Sequence, residues 1–134
     1  MTASTLAVVV LAAGMGTRMR SRRPKVCHAV AGRPMIRHVL DALEPLGAAR
    51  TVVVIGPAMA ELAEQVAPAQ TVVQAERLGT GHAVLTAESA LSELAGDPAA
   101  EVIVALGDTP LVTAGTFDRL RRKRAEADAD LAVL

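Results

Sequence analysis

Apolar and polar residues fall in blocks along the chain. Leu6-Ala7-Val8-Val9-Val10-Leu11 is apolar without a break, as expected of a strand buried on both faces in the middle of a parallel sheet. After a glycine-containing loop, Met35, Ile36, Val39, Leu40, Leu43 and Leu46 recur at helical spacing, and Gly47 offers a stop. Residues 51–55 predict a second strand, closed by Gly56-Pro57, and Met59, Leu62 and Val66 mark a short helix. Residues 70–74 predict a third strand. Val84, Ala87, Leu91 and Leu94 mark one further helix, ending near Gly96-Asp97-Pro98. A fourth strand is expected at 101–106, a helix with a charged outer face at 113–127, and the start of a fifth strand at 130–134.

Strands alternating with helices imply an α/β fold: a Rossmann-like three-layer α/β/α arrangement around a mostly parallel sheet. The chain reads as one domain over residues 1–134, truncated, because it stops inside an apolar run. In open sheets of this kind ligands bind outside the carboxyl ends of the strands. The loops after Leu11, Gln74 and Leu106 share that rim, and they hold the unusual residues.

Composition narrows the function. Hydrophobic residues make up 51% of the chain, enough for a core. Phe117 is the only aromatic residue, so base-stacking platforms for single-stranded nucleic acid are nearly unavailable. Lys plus Arg and Asp plus Glu both number 14, leaving no net field to draw nucleic acid or an anionic membrane. The basic run Arg119, Arg121, Arg122, Lys123 and Arg124, followed by Glu126, Asp128 and Asp130, reads as a solvated helix face. A single cysteine, Cys27, forbids an internal disulfide and points to a reducing, cytoplasmic setting. The apolar run from Leu6 to Ala13 is too short to span a bilayer and lacks a signal-peptide charge pattern.

The strongest chemical signal follows the first strand: Leu11-Ala12-Ala13-Gly14-Met15-Gly16-Thr17-Arg18-Met19, then Pro24-Lys25. Gly14 and Gly16 allow positive φ and close backbone approach to a ligand. Successive N–H groups in such a turn make an anion-binding concavity, and Arg18 and Lys25 add positive charge, so a triphosphate suits the loop. A dinucleotide fingerprint needs a third glycine where Met19 stands, and a Walker A loop needs a Gly-Lys-Ser/Thr triplet that does not occur. Gln74-Ala75-Glu76-Arg77-Leu78-Gly79-Thr80-Gly81-His82 follows the third strand and opens a helix, whose N-terminus favours anions. Leu106-Gly107-Asp108-Thr109-Pro110 follows the fourth. A carboxylate there can hold Mg²⁺, which binds through one or two carboxylates plus phosphates.

The glycine loop, together with Pro24-Lys25-Val26, His28, Ala31-Gly32-Arg33-Pro34-Met35 and His38-Val39, resembles the sugar-1-phosphate nucleotidyltransferases. Within them it is most similar to the bifunctional N-acetylglucosamine-1-phosphate uridyltransferase/glucosamine-1-phosphate acetyltransferase family. The resemblance covers nearly all of this chain but only the first part of that family's proteins. It implies the nucleotide-diphospho-sugar transferase fold and transfer of uridylyl from UTP to N-acetylglucosamine-1-phosphate for cell-wall precursor synthesis. Arg18 would meet the leaving pyrophosphate, Lys25 the phosphates, and Asp108 Mg²⁺. Backbone of Leu11, Ala12, Ala13, Gly14 and Gly16 would cradle the nucleotide, beside Gly107. Gln74, Gly79 and Thr80 would recognise uridine; the Gln74 amide, donor and acceptor together, suits the edge of uracil. The resemblance also implies an Asn metal ligand, sugar-binding residues and a homo-oligomerising C-terminal acetyltransferase domain outside this sequence. The chain alone is therefore expected to bind UTP weakly and turn over poorly.

Three departures stand out. Leu106 occupies a position usually aromatic in that family, Cys27 one usually leucine, and Arg77 one often glutamine. A CTP- or GTP-dependent relative, and a non-catalytic nucleotide-binding fragment, are the alternatives. His28, His38 and His82 show no metal-site spacing; His38 is expected to pack and His82 to support its loop. Cys27 is expected to serve as a small buried hydrophobe.

Overall fold

The aliphatic runs become strands because β-branched side chains fit a pleated sheet that is covered on both sides. The structure is a computed structural model and describes residues 4–134. Its elements are β1 (Leu6–Leu11), β2 (Ala29–Val30), β3 (Arg33–Pro34), α1 (Met35–Leu43), β4 (Arg50–Ile55), α2 (Ala60–Val66), β5 (Gln70–Val73), α3 (Thr80–Thr86), β6 (Glu101–Leu106) and α4 (Ala114–Glu126). Four strands form one sheet in the order β5-β4-β1-β6. Every pairing in it is parallel, with Val9 opposite both Val52 and Val104.

The alternation of side chains along the strands builds the layers. Val8, Val10, Val53, Ile55, Ile103 and Ala105 point to one face, where Ile36, Val39 and Leu43 of α1, Leu62 and Val66 of α2, and Phe117 of α4 cover them. Val9, Val52 and Val54 point to the other face and meet Ala83 and Ala87, small residues at α3 and just beyond it. Val8, Val9, Val10, Val52, Val53, Val54 and Leu62 are completely buried, and each such side chain contributes about 1.5–3 kcal/mol of hydrophobic stabilisation. The three-layer α/β/α expectation is met. No helix among the described residues is long and apolar enough to cross a membrane.

Four local features depart from the sequence reading. The helix expected through Leu94 is broken: α3 stops at Thr86, and Glu88–Leu94 continues as a 3-10 segment. Thr86 Oγ1 donates to the His82 carbonyl at 2.9 Å, and Ala87 N donates to Val84 O at 3.0 Å, tightening the turn. A small hairpin, β2–β3, was not foreseen. Ala31 (φ 50°) and Gly32 (φ 78°) both lie in the left-handed region at its turn, the backbone of a tight hairpin turn. Residues 130–134 form no strand. A strand exists only as part of a hydrogen-bonded ladder. Here the Ala129 carbonyl is taken by Arg124 Nη1 at 2.9 Å instead, and the segment lies against β6 and α4 without pairing.

The basic run on α4 is also only partly a solvated face. Lys123 pairs with Glu126 at 3.0 Å on the surface. Arg121, by contrast, turns inward and grips Glu101 of β6, its Nε 3.1 Å from Oε2 and its Nη2 3.3 Å from Oε1. Arg124 adds an ion pair at 3.7 Å, and Ser4 Oγ donates to Oε1 at 2.7 Å. These bonds, that from Arg121 foremost, hold the Glu101 carboxyl below its ordinary value of 4.5 despite its partial burial. A depressed folded value means the stabilisation is fully present above pH 4.5 and is lost as pH falls through the lower folded value. Glu101→Gln is therefore expected to flatten the acid limb of a plot of Tm against pH, most visibly below pH 4.5. Thermal melts from pH 3 to 7 check this; an unchanged acid limb would assign it to other groups.

Candidate active site at the carboxyl rim of the sheet

Backbone hydrogen bonds continue the sheet past its strand ends and fix three loops in place. Ala12 N donates to Val54 O at 2.8 Å, Gln74 N to Ile55 O at 2.8 Å, and Gly107 N to Leu11 O at 2.9 Å. With the strand order β5-β4-β1-β6, the loops after β5, β1 and β6 stand side by side at one rim. They enclose a cleft of about 400 Å³, within the range of small-molecule sites. Leu11, Ala12, Ala13, Gly14, Gly16, Lys25, Gln74, Gly79, Thr80 and Asp108 all line it, with Arg77, Val26, Ala83 and Leu106. A second cavity of about 380 Å³ adjoins it, sharing Gly16, Lys25 and Arg77 and lined also by Thr17 and Arg18.

Gly16 is the glycine on which the first loop turns. Its φ is 62°, and a Cβ there would fall 2.5 Å from Lys25 Cβ, so only glycine allows Lys25 to cross behind it. The expectation of positive φ fails at Gly14, which lies outside the left-handed region; a Cβ there would meet nothing within 4 Å. Gly107 does not line the cleft but sits beneath it. A Cβ there would lie 3.0 Å from the Leu11 carbonyl, 3.1 Å from Ile36 Cδ1 and 3.2 Å from Val26 Cγ1, so its small size packs the rim.

Across the cleft, Lys25 Nζ donates to Asp108 Oδ2 at 3.0 Å, both side chains being about 40% exposed. The pair joins residues 83 positions apart in sequence. Val26 and Cys27, buried just beyond Lys25, anchor its 3-10 turn in the core. Burial pushes the Cys27 thiol up to about 11, with nearby Glu61 adding to the shift, so the thiol stays protonated and acts as a small apolar group. His38 packs as expected, its Nε2 2.7 Å from the Val30 carbonyl.

Gln74 is buried at 3% exposure. Its Nε2 lies 3.3 Å from the Gly79 carbonyl and 2.9 Å from His82 Nδ1. A carbonyl only accepts, so the amide NH₂ must face Gly79. His82 Nδ1 then accepts from it, which fixes both the Gln74 orientation and the neutral His82 tautomer. His82 thus supports the second loop. Gly79, at φ 101°, lets the chain turn directly into α3.

Arg77 escaped the sequence reading as a site residue and entered only as a departure from the family pattern. Its Nε donates to the Ala13 carbonyl at 2.9 Å, bridging the first and second loops. A cation between Gln74 and Gly79 in a glycine-rich segment was the available signal.

Asp108 is the one carboxylate among the residues lining the cleft, and the described residues contain no group of three or more His, Cys, Asp or Glu side chains placed to hold a metal. That donor set does not cage a metal by itself. It fits Mg²⁺, which keeps waters and shares phosphate oxygens with a single carboxylate.

Comparison with known proteins agrees with this geometry. The model of the MobA-like NTP transferase domain matches residues 8–134. The "Bifunctional protein GlmU" of Paramagnetospirillum magneticum is 53% identical over 100% of the chain, and that of Rhodospirillum rubrum 50% identical over 96%. The chain spans 29% and 28% of the lengths of these two relatives. Among solved structures, Rv0371c of Mycobacterium tuberculosis superposes with a TM-score of 0.70 at 25% identity, covering 95% of this chain and 63% of that one. A structure of the same protein in complex with manganese gives 0.66 at 22% identity, covering 92% and 61%. A nucleotidyl transfer enzyme of Methanothermobacter, titled a nucleotidyl transferase, gives 0.69 at 23% identity, covering 88% and 57%. The match over residues 8–134 takes in all four strands of the parallel sheet and all three rim loops, and on that basis the chain belongs to the MobA-like NTP transferase domain family.

Proposed function

We propose that residues 1–134 form the nucleotide-binding part of a cytoplasmic enzyme that transfers uridylyl from UTP to N-acetylglucosamine-1-phosphate and releases pyrophosphate. The observation that carries this reading is the convergence of Gly16, Lys25, Gln74 and Asp108 on one cleft. Identity of about 50% to the GlmU proteins supports the choice of substrates.

The nucleophile in such a reaction is already a phosphate anion, so no covalent enzyme intermediate is needed. The residues have only to align two anions and neutralise the charge that builds between them. Backbone from Leu11 to Gly14 and at Gly16 cradles the nucleotide. Gln74, Gly79 and Thr80 hold the base and ribose end. Because the Gln74 NH₂ is engaged by Gly79 and His82, its carbonyl oxygen faces the base and selects a donor such as the uracil N3–H. Arg18 receives the leaving pyrophosphate. Lys25, paired with Asp108 at 3.0 Å, exchanges that carboxylate for a phosphate oxygen as the nucleotide enters. Asp108 then holds Mg²⁺, and when bound the ion neutralises charge on the phosphates.

A titration panel of UTP, CTP, GTP and ATP with Mg²⁺ tests the reading. UTP is expected to bind at least about tenfold more tightly than the others, a 1.4 kcal/mol preference. Preference for CTP or GTP would move the chain to another member of the family, and no binding by any of the four would remove the nucleotide-binding role.

A further inference from the structure

The cavity beside the cleft has an unusual balance of charge. Arg18, Lys25 and Arg77 line it together with Gly16 and Thr17, and no carboxylate does. Among the described residues Lys25 has Asp108 as its ion-pair partner, while neither Arg18 nor Arg77 forms an ion pair. Three cations beside one turn repel one another, and an anion between them relieves that repulsion.

Arg77 is seated for this purpose rather than left adrift on the surface. Its Nε–H is held by the Ala13 carbonyl at 2.9 Å, so the guanidinium is fixed at the junction of the two cavities, both of which it lines. Room for it is made at the end of β4. A Cβ at Gly56 would fall 2.8 Å from Arg77 Nη2 and 3.1 Å from the Ala13 carbonyl. One donor fixed to the backbone leaves the rest of a planar fork for phosphate oxygens, with less rotamer freedom to lose on binding.

We infer that Arg77 is a further phosphate-binding residue, forming with Arg18 and Lys25 a three-cation pocket for the polyphosphate end of the nucleotide and for pyrophosphate. This rests on the nucleotide-binding role proposed above. The competing role is a strut that ties the second loop to the first without touching ligand.

Three variants of the 134-residue chain separate the two: Arg77→Gln keeps an N–H donor for Ala13 but no charge, Arg77→Lys keeps the charge, and Arg77→Ala keeps neither. Pyrophosphate and UTP affinities are measured by calorimetry with Mg²⁺, and uridine binding by saturation-transfer NMR. Arg77→Gln is expected to weaken pyrophosphate and UTP by about tenfold, the scale of one charge-assisted hydrogen bond, and to leave uridine binding unchanged. Arg77→Lys is expected to recover most of the loss. Wild-type affinity for pyrophosphate in Arg77→Gln would overturn the inference. So would parallel loss of uridine and pyrophosphate in Arg77→Gln, which is the signature of a strut. Failure of the unsubstituted chain to bind UTP would instead defeat the nucleotide-binding role itself, and the inference with it.

Discussion

Asp108→Ala is expected to abolish the dependence of UTP affinity on Mg²⁺. Loss of even an outer partner of a bound metal costs about 10–100-fold in metal affinity, so loss of a direct ligand belongs at the upper end of that range. Without metal the sign reverses. Asp108 lies at the rim with Lys25 Nζ 3.0 Å from its Oδ2. Removing it takes a negative charge away from incoming phosphates and releases the lysine to meet them. In EDTA the variant is therefore expected to bind UTP as tightly as the unsubstituted chain or more tightly, while in Mg²⁺ it binds far less tightly. Calorimetry of both proteins under both conditions gives the four affinities. A variant that retains the Mg²⁺ effect would show that the metal is held elsewhere.

Gly16→Ala is expected to lower UTP affinity by about a hundredfold, the scale on which a 1 Å misplacement acts. The added methyl carries two penalties. At φ 62° a Cβ is strained, by about 1–2 kcal/mol. It also falls 2.5 Å from Lys25 Cβ, and Lys25 cannot retreat, because Val26 and Cys27 beyond it are buried. The loop must move instead, and the phosphate cradle moves with it. Gly14→Ala is the matched control: its backbone is not left-handed and its Cβ would meet no protein atom within 4 Å. Its loss of affinity should be smaller and should come from crowding the ligand alone. Both loops are exposed, so thermal melts should stay close to the unsubstituted chain. Equal affinities for Gly16→Ala and Gly14→Ala would refute the geometric role of Gly16.

The central layer was legible because its physics is local. An unbroken run such as Leu6–Leu11 has no stable home except between two covering layers, and its neighbours in the sheet follow from the alternation with helices. The rim was legible for a related reason. Glycines, Lys25 and Asp108 stand immediately after strands, where residues kept for packing would be apolar. What stayed hidden depends on partners distant in sequence. Nothing local in Arg121 or Glu101 announces that they meet across 20 positions. The solvated-face reading of α4 was therefore right for Lys123 and wrong for Arg121 and Arg124. The β2–β3 hairpin was masked because Ala31 adopts a backbone usually left to Asn or Gly. The apolar character of residues 130–134 suggested a strand, but apolarity without a ladder partner makes none. Arg77 was passed over because its contact with Ala13 spans 64 positions.

Backbone amide shifts of the isotopically labelled chain, followed by NMR as UTP is added with Mg²⁺, test the central claim most directly. The account predicts that the large shifts gather at Gly14, Gly16 and Arg18, at Gln74, Gly79 and Thr80, and at Gly107 and Asp108, with little change around Arg50 and Gln70 at the opposite end of the strands. Shifts concentrated at that opposite end, or confined to one of the three loops, would contradict it.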